Sequence, residues 1–502
     1  MKLIYFLFIF LSCLCYGYSQ NRNNIWCFGD SVGLNFNFNP PQVFSTALDA
    51  RGSCASISDT SGNLLFYVST SAEPVTTGHL DASKIRNNQH QIIMNGDSLI
   101  GLNWYHEHLI LDMPNDSNQY YVFSIGVTNS FGLYYSTIDL KQNNGLGAVT
   151  QKNVQLQSFK CTDGLNAVKH GNGRDWWVVF KSWVNSNNNI YQYLITPNGI
   201  SNVIVHSVGN TTSNNTTHFQ FSPDGNKLVM INYAGLLEIY DFDRCSGAIS
   251  NPVTIHAEPG PGFQKTWLVG CEFSLNSRYL YVTSLHDTSY VYQYDLTASN
   301  IASSRITLDS IFNFRIGNGF LKRGPDNKIY LSSAWECSAI PQCYPYPDTV
   351  YNNVNMNLGV INYPDSLGNA CGYAPFSFYL GGKRTYYGLP NNPDYDMPAL
   401  AGSVCDTLTG LSPGHSPMGE GSLAATYVSS WEKLFVNAQN IRGSNFVLRI
   451  YDLQGREVYK QTGKCLPPYF TATVYCNSFS NGLYIISLAT ERESLSAKFL
   501  KE

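Results

Sequence analysis

The chain has 502 residues, a formal net charge of -4, and only 13% charged residues against 14% aromatic ones. Charge this sparse, with no long Lys/Arg run, excludes nucleic-acid binding, which depends on cations clustered at phosphates. The length allows two to four domains at about 150 residues each, a rule that repeat folds break.

The N-terminus, "MKLIYFLFIFLSCLCYGYSQ", has one basic residue, Lys2, an apolar run from Leu3 to Cys15, and then small and polar residues. That layout predicts a secretory signal peptide over 1–19. No later stretch reaches the roughly 18 apolar residues of a membrane-spanning helix. The mature chain is therefore expected to lack a transmembrane segment and to be secreted or held at the cell surface after signal removal. Of thirteen cysteines, Cys13 and Cys15 leave with the signal. Export favours disulfides, and the closely spaced pairs Cys465/Cys476 and Cys337/Cys343 are the first candidates. No CxxC occurs, so no compact zinc site is expected.

From residue 20 to about 400 one pattern recurs. "CASISDTSGNLLFYVS", "LILDMPNDSNQYYVFSI", "AVKHGNGRDWWVVFKS", "FQFSPDGNKLVMI", "CEFSLNSRYLYVTS" and "FLKRGPDNKIYLSSAW" each run an apolar strand into a polar turn and out again, at a spacing of about 50 residues. Further strands follow, such as "GLYYSTIDL" and "LLEIYDFD". Four short antiparallel strands in such a repeat predict an all-β fold, a β-propeller of seven blades with six as the alternative. "LGVINYPDSLGNACGY" and "NNIWCFGDSVGLNFN" are the expected sources of the seventh blade, the latter by pairing first and last strands.

Residues 401–430, rich in Gly, Ser, Thr and Pro, read as a linker. Beyond it, "FVLRIYDLQGREVYK" predicts a hairpin turning at Gln454-Gly455, and "GLYIISLATERESLSAKFLKE" a second turning near Thr490 to Glu493. Together they predict a small sandwich over 431–502. This segment resembles the type A C-terminal sorting domain of the Bacteroidetes type IX secretion system. The residues that carry the likeness are Ile450 to Leu453 with Gly455, Arg456 and Val458, then Gly482, Tyr484 and Leu488, then Lys498. The usual opening "yPNP" is absent, and Trp431 to Val436 take its place. The resemblance implies the type IX machinery as a partner and passage across the outer membrane. Residues 24 to 400 resemble the WD40- and PD40-like propellers that often precede this domain, which implies a fold and no catalytic motif.

Three residue sets are candidates for a site. His106, His108 and Asp112 in "WYHEHLILDMP" share one face of a strand, as ligands of a divalent metal would. Aromatics expected at strand ends or in loops, Trp183, Trp267, Trp335, Tyr344 and Tyr346, are candidates for a glycan or protein ligand. Asp241 and Asp243 could act as an acid pair, although Asp at a strand end commonly stabilises a turn. Adjacent aromatics such as Trp176-Trp177 point to opposite faces of a strand and read as core. No catalytic residue can be named, and no cofactor is expected. The leading reading is a binding module, with a propeller hydrolase or lyase acting on polysaccharide as the alternative.

Overall fold

The computed structural model describes residues 21–501 apart from 51, 71–82, 102–103, 115, 128–129, 213, 259–266, 286–287, 336–349, 407–421, 429–431, 440, 442, 466–468 and 493. Residues 1–19, expected to be a signal peptide, and the candidates Cys337, Cys343, Tyr344 and Tyr346 lie outside the described residues.

Seven antiparallel sheets follow one another along the chain. Sheet 1 holds Ile25–Phe28, Asp30–Asn35 and Gln42–Asp49, and sheet 2 holds Cys54–Ser58, Leu64–Ser69 and Lys84–Asn87. Sheet 3 opens with His108–Met113 and Asp116–Gly126, sheet 4 with Cys161–Lys169 and Trp176–Ser182, sheet 5 with His218–Phe221 and Lys227–Ile231. Sheet 6 opens with Trp267–Phe273 and Tyr279–Leu285, and sheet 7 with Ile316–Arg323 and Ile329–Trp335. Sheets 3, 5, 6 and 7 have four strands and sheet 4 has five. Sheets 1 and 2 have three, and isolated bridges Ser83↔Leu99 and Arg86↔Ile92 stand where a fourth strand of sheet 2 would run.

A recurring turn sets the period. In sheets 2, 4, 5, 6 and 7 the residue that closes the turn between first and second strands has positive φ: Gly62 (85°), Gly173 (74°), Gly225 (72°), Ser277 (58°) and Asn327 (63°). Its N–H donates three residues back, to the carbonyls of Asp59, His170, Ser222, Ser274 and Gly324. Gly and Asn bear that left-handed conformation at least cost, which is why short polar residues recur there at the repeat spacing. Sheet 3 turns slightly earlier than its sequence suggests, since Asp116 already pairs with Met113.

The strands read as continuous apolar runs because both faces of each sheet are covered. On Lys227–Ile231, Leu228 and Met230 pack towards sheet 4, while Val229 and Ile231 pack towards sheet 6. Trp176 joins the core shared by sheets 2, 3 and 4, and its neighbour Trp177 joins the core of sheets 4 and 5. The apolar clusters continue through sheets 5 and 6, then 6 and 7, and the last joins sheets 7, 1 and 2. The ring is therefore a closed seven-bladed β-propeller. Burying each large apolar side chain in these clusters is worth about 1.5–3 kcal/mol.

Closure differs from the sequence expectation in one respect. Residues 25–35 form a hairpin of their own sheet and do not pair with the last strand, Tyr373–Tyr379. Sheets 7 and 1 instead meet through side chains, with Trp26 and Phe36 against Tyr330 at 5.7 and 5.6 Å. Leu358–Ile361 and Tyr373 belong to the third and fourth strands of sheet 7, so that stretch adds nothing to the N-terminal blade, sheet 1, which comes wholly from the N-terminal hairpin and Gln42–Asp49.

The first strands of the seven sheets surround the axis, and the chain itself fills it. After sheet 7, residues 384–400 cross the ring. The Tyr387 carbonyl accepts from Phe320 N at 3.0 Å, and the Asn391 amide donates to the carbonyls of His108 and Leu165 at 2.9 and 2.8 Å. Asn391 N donates to Cys54 O, the Asn392 side chain accepts from Ser56 N, and the Asn392 carbonyl accepts from Lys322 Nζ. Four first strands are thus tied to two consecutive asparagines. Gly388 passes so close to Gly52 that a Cβ there would sit 1.9 Å from the Gly52 carbonyl oxygen. The segment then bonds Arg244 through Pro398 O and Gly171 through Leu400 N, and ends in a disulfide between Cys405 and Cys245.

The stretch read as a linker divides accordingly. Residues 401–406 stay with the ring, while Ser422–Val428 pairs with Lys433–Gln439 as the first strand of the C-terminal sandwich. That sandwich packs the three strands Ser422–Val428, Lys433–Gln439 and Tyr469–Tyr475 against four, ordered Glu457–Lys464, Asn445–Asp452, Gly482–Thr490, Ser494–Lys501. Leu434, Val436, Leu448, Ile450, Ile486 and Leu488 fill the space between.

Cys465 and Cys476 are both unpaired, which corrects the disulfide expected between them. The intervening residues include an extended strand, Tyr469–Tyr475. At about 3.3 Å per residue it holds the two cysteines at opposite ends of the sandwich, far beyond the roughly 7 Å limit between Cα atoms.

Candidate functional site

The metal candidates have separate partners. His108 is fully buried, with Nδ1 2.9 Å from Ser53 Oγ and Nε2 3.3 Å from Ile100 O, and burial lowers its pKa to about 4. Asp112, at the other end of the strand, pairs with Arg22 at 2.9 Å and Lys169 at 3.3 Å. His106 precedes the strand and stacks on His218, with ring centroids 4.1 Å apart and planes 14° from parallel, and Phe320 meets it edge-on. Burial, then His218 and Lys322, hold His106 well below its usual pKa, so the stacked rings are neutral. Among the described residues no three His, Cys, Asp or Glu side chains come together as a metal site. His106 lies outside the strand that carries His108 and Asp112, and the partners of the three belong to different blades.

Asp241 and Asp243 are held at strand ends. Asp241 binds Lys227 and Asn251, and Asp243 accepts from Cys245 N at 2.8 Å and Ser246 Oγ at 2.7 Å.

The tryptophans fall at one end of the ring. Trp267 begins a first strand and pairs with Leu285, Trp335 ends a second strand and pairs with Ile316, and Trp183 directly follows Ser182, the partner of Cys161. All three therefore stand where first strands begin. Trp267 is 42% exposed and lies parallel to Tyr233, 6.3 Å away. The Arg315 guanidinium faces the Trp335 ring at 6.0 Å, and the Lys160 ammonium faces both Trp183 and Phe131 at under 5 Å. Phe312 and Phe314, 85% and 65% exposed, stand at the same end and are not among the residues singled out from the sequence. Their signal was a short aromatic alternation between two strands, where no blade face remained to cover it.

At the opposite end, the first strands of sheets 4 to 7, the turns of sheets 5 and 7 and the crossing segment line a basin of about 200 Å³. Its lining includes Asn166, Gln220, Glu272, Lys322, Arg323, Asp394 and Asp396. Glu272 is committed to the scaffold, accepting from Gln220 Nε2 at 3.1 Å, Phe273 N at 2.9 Å and Arg323 N at 3.0 Å. Burial lowers the Lys322 pKa, and burial with Asp394 beside it pushes Asp396 up to about 7.

In the C-terminal sandwich the motif residues build turns and core. Asp452 accepts from Gln454 N, Arg456 N and Arg456 Nε at 3.0, 2.9 and 2.7 Å, and Gly455 supplies the positive φ of 76° that this turn requires. Tyr484 is buried, donates to Ser480 O at 2.7 Å and stacks on Phe499 at 5.2 Å. Gly482 opens its strand, and Lys498 pairs with Ile485 on the last. Residues 431–502 match the secretion system C-terminal sorting domain family, Por_Secre_tail. This segment is a sorting domain. The sorting domain assigns the protein to type IX export, to the cell surface or the medium. No helix among the described residues is long and apolar enough to cross a membrane.

Solved structures similar to the ring include the periplasmic gluconolactonase of Pseudomonas aeruginosa, 11% identical with a TM-score of 0.41, covering 67% of this chain and 91% of that one. Hsv2 of Kluyveromyces lactis is 11% identical with a TM-score of 0.35, covering 69% and 96%. The β-propeller domain of Cps50 from Myceliophteria thermophila is 7% identical with a TM-score of 0.34, covering 63% and 97%. A comparison with curated proteins returns no match.

Proposed function

We propose that the ring is a binding module for a glycan or protein ligand, sent to the inner membrane by the signal peptide at 1–19 and across the outer membrane by the sorting domain. The observation that carries this reading is the common position of Trp183, Trp267 and Trp335 at one end of the ring, with Phe312 and Phe314 beside them. The exposed rings of Trp267, Phe312 and Phe314, with half-buried Trp183 and Trp335 beside Lys160 and Arg315, offer flat apolar faces and cations at little conformational cost, the composition of recognition surfaces. The axis supports the same reading. His108 and Asp112, the sequence's candidates for chemistry at the channel, are bonded inside the fold, and the crossing segment occupies the channel.

The test is a glycan-array and hydrolysis screen on the exported protein, alongside Trp267→Ala. Binding without product, weakened by the substitution, is expected. Turnover of any polysaccharide would replace this reading with the hydrolase or lyase.

A further inference from the structure

We infer that the basin at the turn end of the ring binds a small zwitterion, a molecule of free amino-acid size carrying one carboxylate and one ammonium group. The site lies at the opposite end of the first strands from the tryptophans and does not rest on their binding anything.

Size sets the first limit. A basin of about 200 Å³ falls below the about 300–1,000 Å³ of pockets for drug-sized molecules. Its lining sets the second. Phe221 is the lone aromatic among the lining residues and is 6% exposed, so no flat ring is offered to a sugar face.

Charge decides the class. On one wall the Arg323 side chain has no ion-pair partner among the described residues, and its buried Nε has no acceptor. Its backbone N–H is spent on Glu272, which also accepts from Gln220 Nε2 and Phe273 N. On the crossing segment, Asp396 Oδ1 is buried without a donor, and Asn23 Oδ1, on the basin's rim, is in the same state. Asp394 is exposed, and it accepts from Asp396 N at 3.1 Å, a hydrogen bond that holds the backbone. Burying a donor or acceptor without a partner is costly, and here orphan groups of opposite character line one basin. A carboxylate fits the planar fork of Arg323, and an ammonium, with three donors and no acceptor, fits Asp394 and Asp396. A simple anion would leave Asp396 Oδ1 without a donor, and a simple cation would leave Arg323 Nε without an acceptor.

The probe set is glycine, L-alanine and L-serine, with acetate and methylammonium as half-molecules, added to the full exported protein. Thermal unfolding is followed by fluorescence and stoichiometry by calorimetry. A ligand that binds only the folded state raises the midpoint with the logarithm of its concentration. At least one zwitterion is expected to do so at one site per chain, while acetate and methylammonium, alone or mixed, do not. Arg323→Gln and Asp396→Asn are each expected to lower affinity at least tenfold, with Trp267→Ala unchanged. Should Arg323→Gln fail to fold, the half-molecule comparison on the unaltered protein still decides. No shift with any zwitterion at millimolar concentration, an equal shift with acetate alone, or full affinity after Asp396→Asn would overturn the inference.

Discussion

Replacing both Cys245 and Cys405 with serine removes the covalent latch on the segment that crosses the ring. The bond closes a loop with a sequence separation of 160 residues. In the chain-entropy treatment, a loop of that length confines the unfolded chain by about 17 cal/mol/K, or about 5 kcal/mol at 25 °C. Unfolding roughly 380 residues of ring at about 2.1 cal/mol/K per residue gives about 0.8 kcal/mol/K, so the midpoint should fall by about 6 °C. The native state should survive, because Asn391, Asn392, Pro398 and Leu400 keep their hydrogen bonds to five different sheets. Scanning calorimetry of the double variant and of the unaltered protein, each with and without reductant, measures the effect. A midpoint within about 1 °C of the oxidised protein's would refute the view that this bond constrains the unfolded chain.

Gly388→Ala places a Cβ 1.9 Å from a backbone oxygen that no side-chain rotation can relieve, and should cost about 3 kcal/mol or more, read by denaturant unfolding. His218 has its folded pKa lowered to about 3 by burial and by Lys322. As pH falls from 6.5 towards 3, the unfolded chain takes up a proton that the folded imidazole refuses. The unaltered protein should therefore lose stability relative to His218→Asn by about 1.4 kcal/mol per pH unit across that window, and parallel pH curves for the two would contradict this. Trp267→Ala should weaken ligand binding by about tenfold, or about 1.4 kcal/mol, in a titration with the best array ligand, and should leave the melting midpoint near that of the unaltered protein because the ring is already 42% exposed.

What the sequence disclosed follows from the range of the forces involved. The turns at Gly62, Gly173, Gly225, Ser277 and Asn327 were legible because the left-handed conformation is demanded of one residue at a time, wherever that residue sits. The two-faced burial of Trp176-Trp177 was legible from strand geometry alone. The crossing segment was not, because "TYYGLPNNPDYDMPAL" has neither helical nor strand period and gains its order only from the carbonyls of other blades. The Cys245–Cys405 bond was hidden for the same reason, its halves being brought together by ring closure. His106 and His108 show the limit of parity as an argument. Alternation settles the face of a strand, but which blade covers that face is a property of the ring.

The central claim, a closed ring carried out of the cell by its own C-terminal domain, is tested most directly by fractionating cells that make the chain without residues 431–502. The account predicts that the truncated protein, signal-cleaved and with the Cys245–Cys405 bond formed, accumulates in the periplasm while the full chain reaches the surface or the medium. Delivery of the truncated chain to the surface at the level of the full chain would contradict it.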